Sequence, residues 1–128
     1  ASVFANQQIE AAIRRNIKKI LKWRDMKDYK ERVRKFFKQV YQGIQQSLGQ
    51  NRKAYAQSGT TAVVVLHIDV ELFIINLGDS RAVMCNTEGG EISAMELSND
   101  HKPFMPGEKE RIEKCGGEIM PKDGTTGP

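Results

Sequence analysis

The sequence predicts an α+β fold in which an antiparallel β-sheet layer is covered by an antiparallel pair of helices. Two segments with helical spacing of apolar residues come first, and a short link joins them. Three β-rich apolar runs then follow one another with only short polar breaks: Ala62–Ile68, Leu72–Leu77 and Ala82–Cys85. Each helix has one apolar face that needs a cover, and we expect the sheet to supply it.

The bulk composition is typical of a soluble chain with a core of its own. The 128 residues fit one domain or part of one, with 39% apolar and 28% charged residues. No apolar run approaches the roughly 18 residues of a membrane span, and the N-terminus lacks a signal-peptide pattern. Cys85 and Cys115 have no metal-ligand spacing. We expect reduced thiols in a cytoplasmic or nuclear protein, although two cysteines alone leave a disulfide open.

Charge is unevenly distributed along the chain. Residues 1–57 hold 14 Lys and Arg against 4 Asp and Glu, whereas residues 58–128 hold 6 against 12. Such asymmetry can mark a nucleic-acid or acidic-lipid surface. Here the basic residues lie on predicted helices as solvated faces and form no known nucleic-acid motif, so we expect neither nucleic-acid binding nor membrane binding.

The first helix is predicted over residues 3–24, with Trp23 and Met26 packing near its end. Its apolar residues share one face: Ile9, Ile13, Ile17, Ile20 and Leu21. The basic residues between them fall mostly elsewhere, as a solvated surface would.

The second helix is predicted to begin at Asp28, because Asp28 and Glu31 have the spacing of a capping box. Gly49 suits its end. Its apolar face is the clearest in the chain: Val33, Phe36, Phe37, Val40, Tyr41, Ile44 and Leu48. We expect these side chains to form core, since an aromatic stripe is far more often core than a ligand site.

The strand runs predict an antiparallel meander. The first run is almost continuously apolar, which favours a strand buried on both faces. The breaks after it are short enough for hairpins or tight corners. A fourth, edge-like strand is predicted at Glu91–Leu97.

The connections and the remaining segments are polar. Gln50–Gln57 is predicted as a linker, Ser98–Pro106 as a loop, Gly107–Lys114 as a short helix and Pro121–Pro128 as a loop. Glu118–Met120 is predicted to be extended.

The break between the second and third strands carries the most informative chemistry. Gly78 suits a sharp bend, and Asp79 would lie at a strand end where a hard cation could bind its carboxylate. The alternative is that Asp79 only caps the turn and pairs with Arg81.

Four motifs in this region resemble those of the metal-dependent serine/threonine protein phosphatases of type 2C, the PPM family. Ser58–Ala62 resembles the family's SG(S/T)TA strand, and Asn76–Ala82 resembles its (N/V)xGDSR(A/G) strand. Leu97–Pro103 resembles LSxDHKP, and Glu108–Ile119 resembles ExxRIxxxGGxV. The resemblance covers residues 58 to 119, and the first half of the chain matches in pattern only.

The resemblance implies the family's α-β-β-α fold, of which the sheet layer would be one part of a β-sandwich. It also implies a two-metal hydrolase that uses Mg²⁺ or Mn²⁺ to activate water for attack on phosphoserine or phosphothreonine in proteins. The family's core metal ligands lie in DGHGG, DG and DN motifs that this sequence lacks. By resemblance, Asp79 is the one metal candidate, beside a third and weaker site, and no catalytic or other cofactor-binding residue is assigned. His101 is expected to support the fold.

The whole chain, 1–128, is thus predicted to be the middle portion of a type 2C phosphatase domain. Residues 1–49 would form the helix pair, 58–97 the central strands, and 98–128 a loop, a short helix and the start of the flap region. We expect the isolated segment to be inactive, marginally stable and prone to self-association through exposed sheet edges. The alternative is a pseudophosphatase that acts as an interaction module and docks through the basic helix pair.

Overall fold

The computed structural model describes residues 1–120, so the predicted loop at 121–128 lies outside the described residues. Helices and strands follow one another in the predicted order. They are α1 Ser2–Trp23, α2 Tyr29–Gln50, α3 Arg52–Tyr55, β1 Ala62–Ile68, β2 Glu71–Leu77, β3 Val83–Asn86, β4 Ser93–Glu96 and α4 Pro106–Lys114, with a 3₁₀ turn at Glu88–Gly90 between β3 and β4.

Helices α1 and α2 form the predicted antiparallel pair. Near the link between them, the ring of Trp23 lies edge-on to Phe36, with 6.2 Å between ring centroids. At the other end of the pair, Ala5 and Ile9 line a common cavity with Ile44. The start of α1 therefore lies beside the end of α2, as two helices joined by a short link require.

The core lies between this helix pair and one face of the β1–β2 sheet. Its most deeply buried side chains are Phe37, Ile20 and Val33. From the sheet, Ile68 belongs to the core and Phe73 packs against it. Tyr29 joins the two layers, because its ring lies edge-on to Phe73 at 5.2 Å. The fold is therefore the expected helix-on-sheet arrangement.

The apolar face of α1 is narrower than predicted. Ile9 and Ile20 are buried, but Ile17 and Leu21 are exposed, and so is Met26 beyond the helix end. Trp23 is buried as expected, and the ammonium of Lys19 lies 5.6 Å from its ring centroid. With only α2 and one sheet face to pack against, α1 buries a stripe rather than a broad face.

The predicted capping box at the start of α2 does not form. Asp28 occupies the N-cap position, yet its side chain makes no cap hydrogen bond. Its Oδ1 instead accepts from Nε of Arg32 at 2.7 Å. A charged partner one turn ahead therefore competes successfully with the backbone amides for this carboxylate.

The strands form two separate two-stranded antiparallel sheets, β1–β2 and β3–β4, rather than the predicted continuous meander. Where β2 ends, residues 97–102 occupy the neighbouring position, since the backbone N–H of His101 donates to the carbonyl of Gly78 at 3.0 Å. Among the described strands, β3 therefore pairs with β4 alone, in the register Val83↔Glu96.

Strand β1 is buried on one face only, which corrects the prediction that both faces are covered. Exposure alternates along it, and Ile68 is buried whereas Val65 is 54% exposed. In the β1–β2 register Val65 pairs with Ile74 and His67 with Leu72, on the face away from the helices. We call this the outer face; its exposed apolar members include Val63, Val65 and Leu72.

Smaller differences concern the connections. The predicted linker at 50–57 contains α3, and Tyr55 of α3 stacks near Phe4 of α1 with 5.9 Å between ring centroids. The fourth strand is shorter than predicted, so Ile92 lies outside it and is 84% exposed. Residues 118–120 form no strand. Within the described 1–120, no helix is both long and apolar enough to cross a bilayer.

Candidate functional site

The connection between β2 and β3 is fixed by Gly78. Its φ of 95° lies in the left-handed region, which side chains with a Cβ rarely adopt. A Cβ at this position would also lie 2.5 Å from Cγ2 of Thr61. Two residues on, the hydroxyls of Ser80 and Thr61 are hydrogen-bonded at 2.7 Å. The connection is therefore tied to the residue that precedes β1.

The loop at residues 97–102 packs against this connection. The backbone N–H of Gly78 donates to Nδ1 of His101 at 3.4 Å, while the N–H of His101 donates back to the Gly78 carbonyl. Further along, the N–H of Ala82 donates to Oγ of buried Ser98 at 2.9 Å. We call the contacts between residues 76–82 and 96–102 the junction.

Asn76 joins both sides of the junction through one amide group. Its Nδ2 donates to the carbonyl of Gly78 at 3.2 Å and to the carbonyl of Asn99 at 2.7 Å. Because both partners are acceptors, the amide must present its NH₂ group to them. Oδ1 of Asn76 is buried and has no partner among the described atoms.

Arg81 is bound to the 96–102 side of the junction rather than to its neighbour Asp79. Its Nε and Nη2 donate to the two carboxylate oxygens of Asp100 at 3.0 and 2.9 Å, and its Nη1 donates to Glu96 at 2.8 Å. Lys102 lies 3.0 Å from the same carboxylate. The pairing of Asp79 with Arg81, which the sequence left open as an alternative, therefore does not form. A planar guanidinium matches the two oxygens of Asp100, which lies across the junction at the right distance.

These contacts hold Asp100 in its ionised form. Hydrogen bonds from Arg81 and then Lys102 lower the pKa of the Asp100 carboxyl well below its usual range. The hydrogen bond to Asp100 in turn raises the pKa of Arg81. Only 8% of the Asp100 side chain is exposed, so this ion pair is better shielded from water than the surface pairs of α1 and α2.

Asp79 is the exception within the connection. It is exposed, and no hydrogen bond or ion pair of its side chain is found in residues 1–120. Its backbone is nevertheless fixed on both sides, by Gly78 before it and by Ser80 and Arg81 after it. An accessible carboxylate without an internal cation is the oxygen ligand that Mg²⁺ and Mn²⁺ prefer.

Asp79 could supply one ligand to a metal ion, but it does not make a complete metal site. Nowhere in residues 1–120 do three or more His, Cys, Asp or Glu side chains group closely enough to hold an ion. His101 is in the junction but offers Nδ1 to the Gly78 amide. The described residues would therefore supply Asp79 alone to a cation.

A separate cavity of about 580 Å³ lies between the helix pair and the start of β1. Its floor is apolar and includes Ile9, Ile44 and Leu48. Among the residues of 1–120 that line it there is no carboxylate, histidine or cysteine. Of these two places, only the junction therefore offers carboxylate and imidazole groups.

Sequence reasoning identified Asp79 but missed the residues that organise its surroundings. The sequence presents Asp100 only as part of a motif, although a carboxylate in that motif and the guanidinium of Arg81 have opposite charges that favour pairing. Asn76 and Ser98 carried no signal, because single polar residues at strand ends are common and their partners are distant in sequence.

Comparison with known proteins extends the motif resemblance to nearly the whole chain. The family model for protein phosphatase 2C matches residues 2–126. The chain is 42% identical over 66 residues to protein phosphatase 1L of Bos taurus, covering 52% of this chain and 18% of that protein. It is 48% identical over 65 residues to probable protein phosphatase 2C 64 of Oryza sativa subsp. japonica, covering 49% and 15%.

A third relative matches a longer stretch. Probable protein phosphatase 2C 35 of Arabidopsis thaliana is 33% identical over 93 residues, covering 73% of this chain and 27% of that protein. The matches thus span about a fifth of the relatives' own lengths. No solved structure matches the chain. The family match over residues 2–126 confirms the resemblance, and the chain belongs to the protein phosphatase 2C family.

Proposed function

We propose that this chain is part of a Mg²⁺- or Mn²⁺-dependent phosphatase that hydrolyses phosphoserine and phosphothreonine in proteins. The observation that carries the proposal is the family match over residues 2–126. Phosphatases of this family act on phosphoproteins and generally depend on these cations. We also propose a cytoplasmic or nuclear location, which rests on the expected reduced state of Cys85 and Cys115; both are exposed and unbonded.

The chemistry that bound Mg²⁺ or Mn²⁺ would supply in such an enzyme is a water molecule acidified for attack on the phosphorus. From this chain, Asp79 would supply one carboxylate ligand. The junction would hold the backbone of Asp79 in place, and the helix pair would support the β1–β2 sheet from which the connection leaves. Because the described residues offer one ligand, we propose that the 128-residue chain alone does not hydrolyse substrate.

The test is Mn²⁺-dependent hydrolysis of a phosphothreonine peptide by two proteins. One is the 128-residue chain, and the other is the same chain extended into its native flanking sequence. We expect only the extended protein to be active. Activity of the short chain would contradict the proposed source of the remaining ligands. Two folded but inactive proteins would favour the interaction module that docks through its basic helices.

The same assay tests Asp79. In the extended protein, Asp79→Asn removes the ligand charge and should raise the Mn²⁺ concentration needed for half-maximal activity by about tenfold. Asp25→Asn is the matched control, because Asp25 is also exposed and pairs with Arg24 only at 3.6 Å. An unchanged Mn²⁺ dependence in Asp79→Asn would remove Asp79 from the metal site.

A further inference from the structure

Within residues 1–120 the carboxylate of Asp79 has no partner, whereas the residues on both sides of it are hydrogen-bonded. Gly78 is bonded through both of its backbone polar groups to His101. Ser80 is bonded to Thr61, and Arg81 is bonded to Asp100 and Glu96. The position of Asp79 is therefore determined by contacts that Asp79 itself does not make.

The strongest of these contacts is the fork between Arg81 and Asp100. Two parallel N–H···O bonds of 3.0 and 2.9 Å join a guanidinium to a carboxylate that is 8% exposed. Such bidentate pairs fix the relative orientation of both groups as well as their distance. Lys102 adds a third charged contact to the carboxylate at 3.0 Å. If Arg81, two residues after Asp79, moved away, both of its hydrogen bonds to Asp100 would break together.

The contact on the other side of Asp79 is neutral. Nδ1 of His101 accepts from the Gly78 N–H, so this nitrogen must be unprotonated, and the backbone N–H of His101 closes the pair. Asn76 supports the same point by donating to the carbonyls of Gly78 and Asn99. Asn99 and His101 thus hold the chain just before Asp79, while Asp100 holds Arg81, two residues after it.

We propose that Asp100 and His101 are positioning residues for Asp79: they hold the Gly78–Arg81 connection so that its free carboxylate is preset to receive a divalent cation. The effect on metal binding rests on the proposed function, whereas the effect on the connection does not. A preset ligand binds more tightly, because the cation need not order the chain that carries it. A residue that only supported the fold would weaken the whole sheet when it is substituted. The positioning role instead predicts that the substitution loosens residues 78–82 alone and weakens the binding of one metal ion.

The first experiment measures amide hydrogen exchange in metal-free, full-length protein. Asp100→Asn and His101→Leu should speed exchange at residues 78–82 by at least about tenfold, because each removes bonds that close this segment. Exchange in the β1–β2 ladder should not change. His101→Asn, which keeps an acceptor, should restore slow exchange in part.

Asp28→Asn is the matched control for Asp100→Asn. It removes the charge from another Asp–Arg pair, in which Oδ1 accepts from Nε of Arg32 at 2.7 Å, but this pair lies at the start of α2. It should leave exchange at residues 78–82 unchanged. The proposal is overturned if the junction variants leave this segment as protected as in the parent protein, or if the whole sheet loses protection with it.

The second experiment counts bound Mn²⁺ in the full-length protein by electron paramagnetic resonance of the free ion. Asp79→Ala should remove one binding phase. Asp100→Asn should weaken that same phase by about tenfold and leave the others intact. In the Asp79→Ala background, Asp100→Asn should have no further effect on Mn²⁺ binding, since both changes act through one group.

The two experiments separate the two proposals. If the parent protein binds no Mn²⁺ and hydrolyses no phosphopeptide, the proposed function fails, while hydrogen exchange still decides whether the junction fixes the connection. If the junction variants loosen residues 78–82 but leave every Mn²⁺ phase unchanged, the positioning role is wrong although the phosphatase assignment stands. Additive losses of Mn²⁺ affinity in the variant that carries both Asp79→Ala and Asp100→Asn would also overturn the positioning role.

Discussion

Gly78 combines a backbone requirement with a steric one. Its φ is 95° and a Cβ would lie 2.5 Å from the Thr61 side chain. Gly78→Ala should therefore lower the free energy of unfolding by about 1–3 kcal/mol, from backbone strain and the displacement of Thr61. Urea denaturation followed by circular dichroism measures the change.

Gly43→Ala is the control for this substitution. Gly43 lies inside α2, and a Cβ there would meet nothing within 4 Å. Alanine is the better helix former, so this change should raise the free energy of unfolding by about 0.5–1 kcal/mol. Equal effects of the two substitutions would show that the junction does not need the left-handed backbone of Gly78.

Ionised Asp100 stabilises the junction, so the junction should lose stability as the pH falls. Hydrogen bonds from Arg81 and Lys102 lower its pKa in the folded chain, so its contribution is complete above the ordinary Asp value near 4 and is lost as the pH falls below it. The stability difference between the parent chain and Asp100→Asn should hence be constant from pH 7 to 5 and shrink towards pH 3. Urea titrations at each pH measure it, and a difference that grows on acidification would contradict the assignment.

Phe37 shows how much the helix layer depends on a single element, α2. It is 1% exposed, whereas Phe104, in the loop before α4, is 71% exposed. Phe37→Ala should lower the free energy of unfolding by about 3–5 kcal/mol because it leaves a cavity in the core. Phe104→Ala removes the same atoms from water-exposed surface and should have little effect. Thermal unfolding of both variants measures the two changes in stability. Similar losses of stability would contradict the placement of Phe37 in the core.

Elements were predictable where the pattern was local, and their pairing was not. Both long helices and β1 appear within one residue of their predicted bounds, since periodic apolar spacing depends only on neighbouring residues. The break between β2 and β3 was short enough for a hairpin. Instead, where β2 ends, the His101 amide donates to the Gly78 carbonyl, a contact that spans 23 residues of sequence.

The residues around Asp79 also divide into those that a local pattern indicates and those that only long-range contacts bring together. A motif was enough to propose Asp79 as a candidate ligand, but the fork of Asp100 and the double contact of Asn76 depend on the approach of two distant loops. The cap at Asp28 failed for a related reason, because Arg32 offered a charged partner where the pattern considered only the backbone. Local rules assign the elements, and long-range polar contacts decide how they meet.

At the scale of the whole chain, the outer face of the β1–β2 sheet carries a prediction about association. It exposes Val63, Val65 and Leu72, and within residues 1–120 the sheet has two strands, whose edges no further strand covers. We expect the 128-residue chain to associate as its concentration rises. Sedimentation velocity over a range of concentrations measures this.

Val65→Lys should reduce the association, because it places a charge in the middle of the outer face. Val70→Lys is the control, since Val70 lies at the tip of the β1–β2 hairpin and is 96% exposed. A dilute and concentrated sample that both sediment as the monomer would show that the outer face does not promote association.

The single tryptophan gives the molecule a selective optical reporter. Trp23 lies in the helix layer, against Phe36 and beneath the ammonium of Lys19. Its emission should therefore be blue-shifted in the folded chain and move to the red when the helices separate from the sheet. The junction contains no tryptophan, so a chain whose Gly78–Arg81 connection had come loose would show the same tryptophan emission as the intact chain. A melting curve followed by tryptophan fluorescence would thus report the unfolding of the helix layer and would not detect loosening of the Gly78–Arg81 connection.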